Sequence, residues 1–243
     1  VSKTEEPQTP VLVPEHTEFE TKYRVDAATL TEFKRIMDGL PNLKKFIYVE
    51  GPDHYYTNEH ITKAFQAFAD GLPAAHRDKL HALINSTIGE FPPFMRFRRP
   101  SHGLDENRQE LTTKYRQDGS KNNIQREEKN LRVDKTEEKT IKAFVADVGY
   151  KPNFSVWKTC HIYNLDDATL VFYSVYDTTD GQQSPKVDNF FEIEVDEETV
   201  SKMTEAEAWG IITKYESIFA HLGITAQKRL RKSMFDMYKR EVK

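Results

Sequence analysis

The chain has 243 residues, 37% hydrophobic and 12% aromatic, with fifteen Phe and eleven Tyr set among 30% charged residues. That composition supports a packed core and excludes an intrinsically disordered chain. A net charge of −4 argues against a protein that coats nucleic acid by charge alone, so any anion site has to be local and enclosed.

One cysteine, Cys160, excludes an intrachain disulfide framework and a cysteine-rich zinc site. With no apolar run of about 18 residues and no charged-then-apolar leader, the chain is expected to be soluble, not exported and cytoplasmic, without a membrane partner. Residues 1–14 carry Pro7, Pro10 and Pro14 among polar residues and read as a flexible lead-in to a single domain over 15–243.

The first regular element is Glu18 to Val25, in which charged residues alternate with apolar or neutral ones, as a strand requires. Glu18, Glu20, Lys22 and Arg24 share one face; Phe19, Thr21, Tyr23 and Val25 share the other. Carboxylates suit hard divalent ions such as Mg²⁺ or Mn²⁺, and Lys and Arg suit the phosphate oxygens that accompany them. On one strand alone, a solvated face with cross-strand ion pairs explains the pattern as well.

Leu30, Phe33, Ile36 and Met37 recur at helical spacing until Gly39-Leu40-Pro41. Phe46 to Val49 reads as a strand, with His54 to Thr57 as its continuation or partner beyond Gly51-Pro52. Over about 59–88 the period changes to helical, with Ile61, Ala64, Phe65 and Phe68, then Leu80, Leu83, Ile84 and Ile88, in two helices broken near Gly71-Leu72-Pro73. This is a helical insertion between strands.

After Pro92-Pro93, Phe94 to Pro100 alternates again and places Arg96 with Arg98. Gln109 to Arg116 places Thr112, Lys114 and Arg116 together. Ile124 to Leu131 reads as a strand polar on both faces, after a turn at Asp118 to Asn122. Thr136 to Gly149 is a predicted helix with Ile141, Phe144, Val145 and Val148 on its apolar side. Three further strands follow, Phe154 to Tyr163, Thr169 to Asp177 and Asn189 to Val195, with a hairpin at Asp166-Asp167 and a loop from Thr178 to Lys186. In the last, Glu192 and Glu194 oppose Phe191, Ile193 and Val195. The tail reads as a helix around Ala206 to Leu222, stopped by Gly223, and a second from Ala226 to Lys243.

Roughly eight strands, several of them charged on one face, are accommodated by an α+β fold in which an antiparallel β-barrel keeps its charges inside and its apolar side under surrounding helices. The interior would collect Glu18, Glu20, Glu192 and Glu194 with Lys22, Arg24, Arg96, Arg98, Lys114, Arg116 and Arg126. Burying so many cations without a guest would cost several kcal/mol per unpaired ion, and a triphosphate with a divalent metal would relieve it. Carboxylates would hold the metal, metal and cations would neutralise phosphate oxygens, and a positioned water would attack the terminal phosphorus.

Glu18-x-Glu20-x-Lys22, Arg96-x-Arg98, Lys114, Arg126-x-Glu128 and Phe191-Glu192-Ile193-Glu194, in this order, resemble the CYTH domain of triphosphate tunnel metalloenzymes. Leu222-Gly223-Ile224 and Lys232-Ser233-Met234 resemble that family's closing signals. The family includes RNA triphosphatases, thiamine triphosphatases, tripolyphosphatases and class IV adenylyl cyclases. The resemblance implies an eight-stranded antiparallel tunnel holding Mg or Mn. Glu18, Glu20, Glu192, Glu194 and, from the preceding strand, Asp177 would be metal ligands, and Lys22, Arg24, Arg96, Arg98, Lys114, Arg116, Arg126 and Lys158 phosphate ligands. Catalysis would fall to Glu18, Glu20, Lys22, Glu192 and Glu194.

The implied activity is metal-dependent hydrolysis of a triphosphate, with an RNA 5′ end, a nucleoside triphosphate or tripolyphosphate as substrate. A class IV-type cyclase and a non-catalytic nucleotide-binding protein are the alternatives. Two departures stand out: Asn130 replaces an acid, and the sixth strand offers Lys158 or His161, on opposite faces, where the family carries Arg. Several residues have plain alternatives. His16 reads as a surface or capping residue, Tyr55 and Tyr56 as strand packing, Cys160 as an inert small hydrophobe, and the basic residues of the tail as a solvated helix face.

Overall fold

The computed structural model describes residues 17–87, 94–99, 109–116, 125–134, 136–177 and 186–241. The lead-in over 1–14, His16, the turn at Asp118 to Asn122 and most of the loop from Thr178 lie outside them, as do the side chains of Phe65, Leu83 and Ile84. No helix among the described residues is long and apolar enough to cross a membrane.

In chain order the elements are β1 (Thr17–Arg24), α1 (Thr29–Asp38), β2 (Leu43–Thr57), α2 (Glu59–Asp70), α3 (Ala74–Thr87), β3 (Phe94–Arg98), β4 (Glu110–Arg116) and β5 (Gln125–Arg132). There follow α4 (Glu138–Asp147), β6 (Lys151–Leu165), β7 (Ala168–Asp177), β8 (Lys186–Val195), α5 (Glu197–Val200), α6 (Glu205–Phe219) and α7 (Met234–Tyr238). The strands close in the order β1-β5-β4-β3-β2-β6-β7-β8, with every pair antiparallel. The α+β fold with an eight-stranded antiparallel barrel is therefore the one the sequence pattern called for.

The apolar faces lie outside the barrel, as the alternation requires. Phe19, Tyr23, Phe191 and Ile193 are at most 1% exposed and pack with Phe33 and Met37 of α1 and Ile212 and Phe219 of α6. A second outer cluster sets Phe97, Leu111 and Tyr56 against Ile141 and Val145 of α4. Phe144 and Val148 do not join it; they are 49% and 36% exposed. The apolar stripe of α4 is thus narrower than the sequence suggests.

Two other expectations change. β2 runs unbroken through Gly51-Pro52, because the Pro52 carbonyl accepts from Arg99 N at 3.3 Å. The Pro52 nitrogen faces the same side, away from the β6 ladder, so its missing N–H costs that ladder nothing. The tail beyond Gly223 is not one helix: Ala226–Lys228 is a single 3₁₀ turn and only Met234–Tyr238 is α-helical.

Tertiary bonds hold this tail in place of helical ones. Leu230 N donates to the carbonyl of Lys22 at 2.8 Å, on β1 beyond the short Thr17 to Phe19 seam with β5. Arg229 forms a two-pronged pair with Glu216 at 2.6 and 2.7 Å, and Tyr23 donates to the same carboxylate at 2.5 Å. Phe235 then stacks on Phe94 at 4.6 Å. Phe235 and Met234 complete an apolar cluster with Tyr55, Phe154, Tyr173, Val175 and Phe190, all but Phe235 and Met234 contributed by barrel strands.

Candidate active site

A cavity of about 280 Å³ adjoins this aromatic cluster inside the barrel. Its lining includes Glu18, Glu20 and Lys22 from β1, Arg96 and Arg98 from β3, Lys114 from β4, Lys158 from β6, and Glu192 and Glu194 from β8. The β1–β8 register explains the acidic wall, since Glu20 lies opposite Glu194 and Lys22 opposite Glu192. Side chains at paired positions project to the same side of a sheet.

Every cation of this set has a carboxylate within reach. Lys22 Nζ lies 2.7 Å from Glu192 Oε1 and 3.6 Å from Glu20 Oε1. Lys114 Nζ lies 2.5 Å from Glu18 Oε1. Arg96 lies 3.6 Å from Glu110 and donates to Thr112 Oγ1 at 2.9 Å. Arg98 and Lys158 converge on Asp53, at 2.7 and 2.9 Å for the guanidinium and 3.1 Å for the ammonium.

Asp53 is 1% exposed. Burial alone would raise its pKa, but Arg98 and Lys158 overcome burial and hold the carboxyl far below the usual carboxylate range. Glu192 shows the same competition: burial opposes its charge, Lys22 wins, and its pKa falls to about 2. The Tyr173 hydroxyl donates to Glu192 Oε1 at 2.8 Å, and burial with that carboxylate pushes the phenol well above its ordinary value.

Among the described residues the interior is therefore balanced from within. The five lining carboxylates Glu18, Glu20, Glu110, Glu192 and Glu194 equal the lining cations Lys22, Arg96, Arg98, Lys114 and Lys158 in number, and Asp53 adds a sixth acid beside Arg98 and Lys158. For the cations whose side chains are described, the expectation of unpaired buried charge does not hold, because acids of the barrel already accompany them. Nor is the interior charged all round. The β6–β7 wall presents Cys160, Ile162, Thr169 and Val171.

Some expected residues lie elsewhere. Arg24 shares the inner face of β1 but stands at its end, 57% exposed, 3.4 Å from Asp188 and over the Phe190 ring. Asp177 is exposed at the end of β7 and does not line the cavity. The side chains of Arg116 and Arg126 lie outside the described residues; their backbones pair with each other, and Arg126 pairs with Glu18. On β6, Lys158 points inward and His161 outward, against Phe46 and Tyr48.

Asp53, Glu110 and Tyr173 were not singled out from the sequence. Glu110 was within reach, because it has the strand parity of Thr112 and Lys114. Asn130, noted as a departure, lines the cavity and accepts from the Thr112 hydroxyl at 2.7 Å. Cys160 also lines the cavity, and burial pushes its thiol up, which keeps it a weak nucleophile.

The acids supply only oxygen donors, which fits a hard divalent cation. Among the described residues, however, no three His, Cys, Asp or Glu side chains converge as a ready metal cluster. Ammonium groups stand against Glu18, Glu20 and Glu192 instead.

No protein-family profile matches the sequence, and no curated protein does. Solved structures share the fold. A conserved hypothetical protein from Pyrococcus furiosus aligns with TM-score 0.55 and 16% identity over 89% of this chain and 97% of its own. A chain of the Schizosaccharomyces pombe Mediator head module aligns with TM-score 0.56 and 11% identity over 84% and 95%. A candidate adenylate cyclase from Vibrio parahaemolyticus gives 0.52 and 13% over 91% and 97%. At such identities the likeness establishes the fold alone.

Proposed function

We propose that this chain is a CYTH-type, divalent-metal-dependent triphosphatase that hydrolyses a triphosphate-containing substrate inside the barrel. The observation that supports the reading is the meeting, in one enclosed cavity, of carboxylates from both ends of the chain with cations from β1, β3, β4 and β6. Arg96, Arg98, Lys114 and Lys158 would grip phosphate oxygens, with Lys22 beside the scissile phosphorus. Glu20 and Glu192, with Glu18 and Glu194, would hold Mg²⁺ or Mn²⁺. Such an ion neutralises charge on phosphate oxygens when bound. A carboxylate of this wall would orient the attacking water, and Asp53 would keep Arg98 and Lys158 aligned.

The test is product analysis with Mg²⁺ or Mn²⁺ and, separately, tripolyphosphate, ATP and a 5′-triphosphorylated RNA. Orthophosphate release that stops on chelation, and that Glu20→Ala abolishes without unfolding the chain, is the expected result. Full activity of Glu20→Ala would sink the proposal. Pyrophosphate together with a cyclic nucleotide would identify a cyclase, the activity attached to the Vibrio neighbour's description. Nucleotide binding unaffected by chelator and without turnover would point to sequestration.

A further inference from the structure

Lys22 and Lys114 belong to two groups of residues at once. As cations they are placed to grip phosphate; as they stand, their ammonium groups lie against the carboxylates assigned above to the metal. Lys22 Nζ sits between Glu192 and Glu20, at 2.7 and 3.6 Å, and Lys114 Nζ sits 2.5 Å from Glu18. Lys22 and Glu20 are only 7% and 6% exposed. The Lys114 and Glu18 side chains are likewise only 12% and 7% exposed.

We propose that Lys22 and Lys114 are resident counter-cations that keep Glu18, Glu20 and Glu192 closed to a divalent ion until a polyphosphate draws the lysines away, so that metal and polyphosphate load together. The proposal rests on the assignment of these acids in the preceding section. A dication arriving alone would share the cavity with the ammonium it displaces, setting like charges a few ångströms apart in a poorly solvated space. A polyphosphate arriving alone would take the lysines and strand the carboxylates. Arriving together, the dication replaces the ammonium on the carboxylates and the polyphosphate replaces the carboxylates on the ammonium. Each ligand must then strengthen the other by one and the same factor.

The experiment measures Mn²⁺ binding to the full chain by electron paramagnetic resonance and water-proton relaxation at neutral pH, with no phosphate present. Methionine keeps the length of the lysine stem and removes the charge. The expected result is weak binding to the wild type and binding at least about tenfold tighter to Lys22→Met, a factor within the usual range of coupling between sites. Glu20→Gln in the Lys22→Met background should abolish the tight site, which locates it.

A second arm needs no variant. Adding the imido analogue of tripolyphosphate to the wild type should produce slowly tumbling, protein-bound Mn²⁺ at metal concentrations where the protein alone holds none. Equal Mn²⁺ affinity in wild type and Lys22→Met, or wild-type affinity unchanged by the analogue, would overturn the inference while leaving the triphosphatase proposal standing. No Mn²⁺ bound in either protein, with or without the analogue, would overturn both the inference and the assignment of the acids to a metal.

Discussion

Asp53→Asn is the substitution whose cost the structure specifies most fully. Asparagine keeps the shape of the side chain but removes the charge and one acceptor oxygen, so the bonds from Arg98, at 2.7 and 2.9 Å, and from Lys158, at 3.1 Å, lose their anionic partner and cannot all be kept. Breaking a buried pair by removing one partner costs about 3–5 kcal/mol. Arg98 has an outlet, since its side chain is 31% exposed, whereas that of Lys158 is only 10% exposed. The lower end, about 3 kcal/mol, is therefore expected, which for a chain of this length lowers the melting temperature by about 6–12 °C. Urea denaturation followed by circular dichroism measures the loss. Adding Lys158→Met to Asp53→Asn should recover part of it, because it removes the stranded charge. A loss under about 1 kcal/mol, or no recovery in the double variant, would show that the cluster is not a buried charge network and would refute the reasoning.

Two further outcomes follow from other charge clusters. Glu192 has its pKa depressed to about 2 in the folded chain, against about 4.3 for an unperturbed Glu. Its stabilising contribution is thus fully present above the unfolded value and is lost as pH falls from about 5 through 2. Glu192→Gln should flatten that part of the stability-against-pH curve, and an unchanged curve would refute the assignment. Glu216→Gln removes the charge that joins Arg229 and Tyr23, at a cost of about 3 kcal/mol. It should also release the tail, so that limited proteolysis with trypsin cuts at Lys228, Arg231 or Lys232 faster than in the wild type; an unaltered cleavage rate would refute an anchoring role for the pair.

The barrel was legible in the sequence because closing a sheet with charges inside leaves a period-two trace, and Glu18 to Val25 and Phe191 to Val195 carry it without interruption. The acidic wall was legible for the same reason. Asp53 was not, because its importance lies in a partner: Arg98, opposite it in the β2–β3 register, and Lys158 on β6 give it a role that no local pattern displays. The choice between Lys158 and His161 likewise waited on β6 pairing with β2. The second tail helix was misread because Leu230, Met234, Phe235 and Tyr238 have helical spacing. Their apolar contacts are instead with the aromatic cluster at one end of the barrel, and tertiary bonds replace the helical ones.

The balance of charge inside the barrel also separates an enzyme from a store. A protein that merely sequestered a phosphorylated ligand would hold it better without Glu18, Glu20 and Glu192, because each of these acids lies against a lysine that the ligand needs. Glu20 lies 3.6 Å from the Lys22 ammonium, so it attenuates that charge without fully capturing it. In the presence of a chelator, Glu20→Gln should therefore bind tripolyphosphate more tightly than the wild type, by an amount comparable to a partly screened charge pair, about 1 kcal/mol or roughly fivefold. With Mg²⁺ present the same variant should lose turnover. Calorimetry under chelation and phosphate release under metal make the two readings on one protein. Weaker binding in chelator would mean that Glu20 positions Lys22 instead of opposing it. Tighter binding with turnover retained would mean that the acid is dispensable to the chemistry. Only tighter binding joined to lost turnover fits a carboxylate that is kept, against the interest of anion affinity, because the reaction requires it.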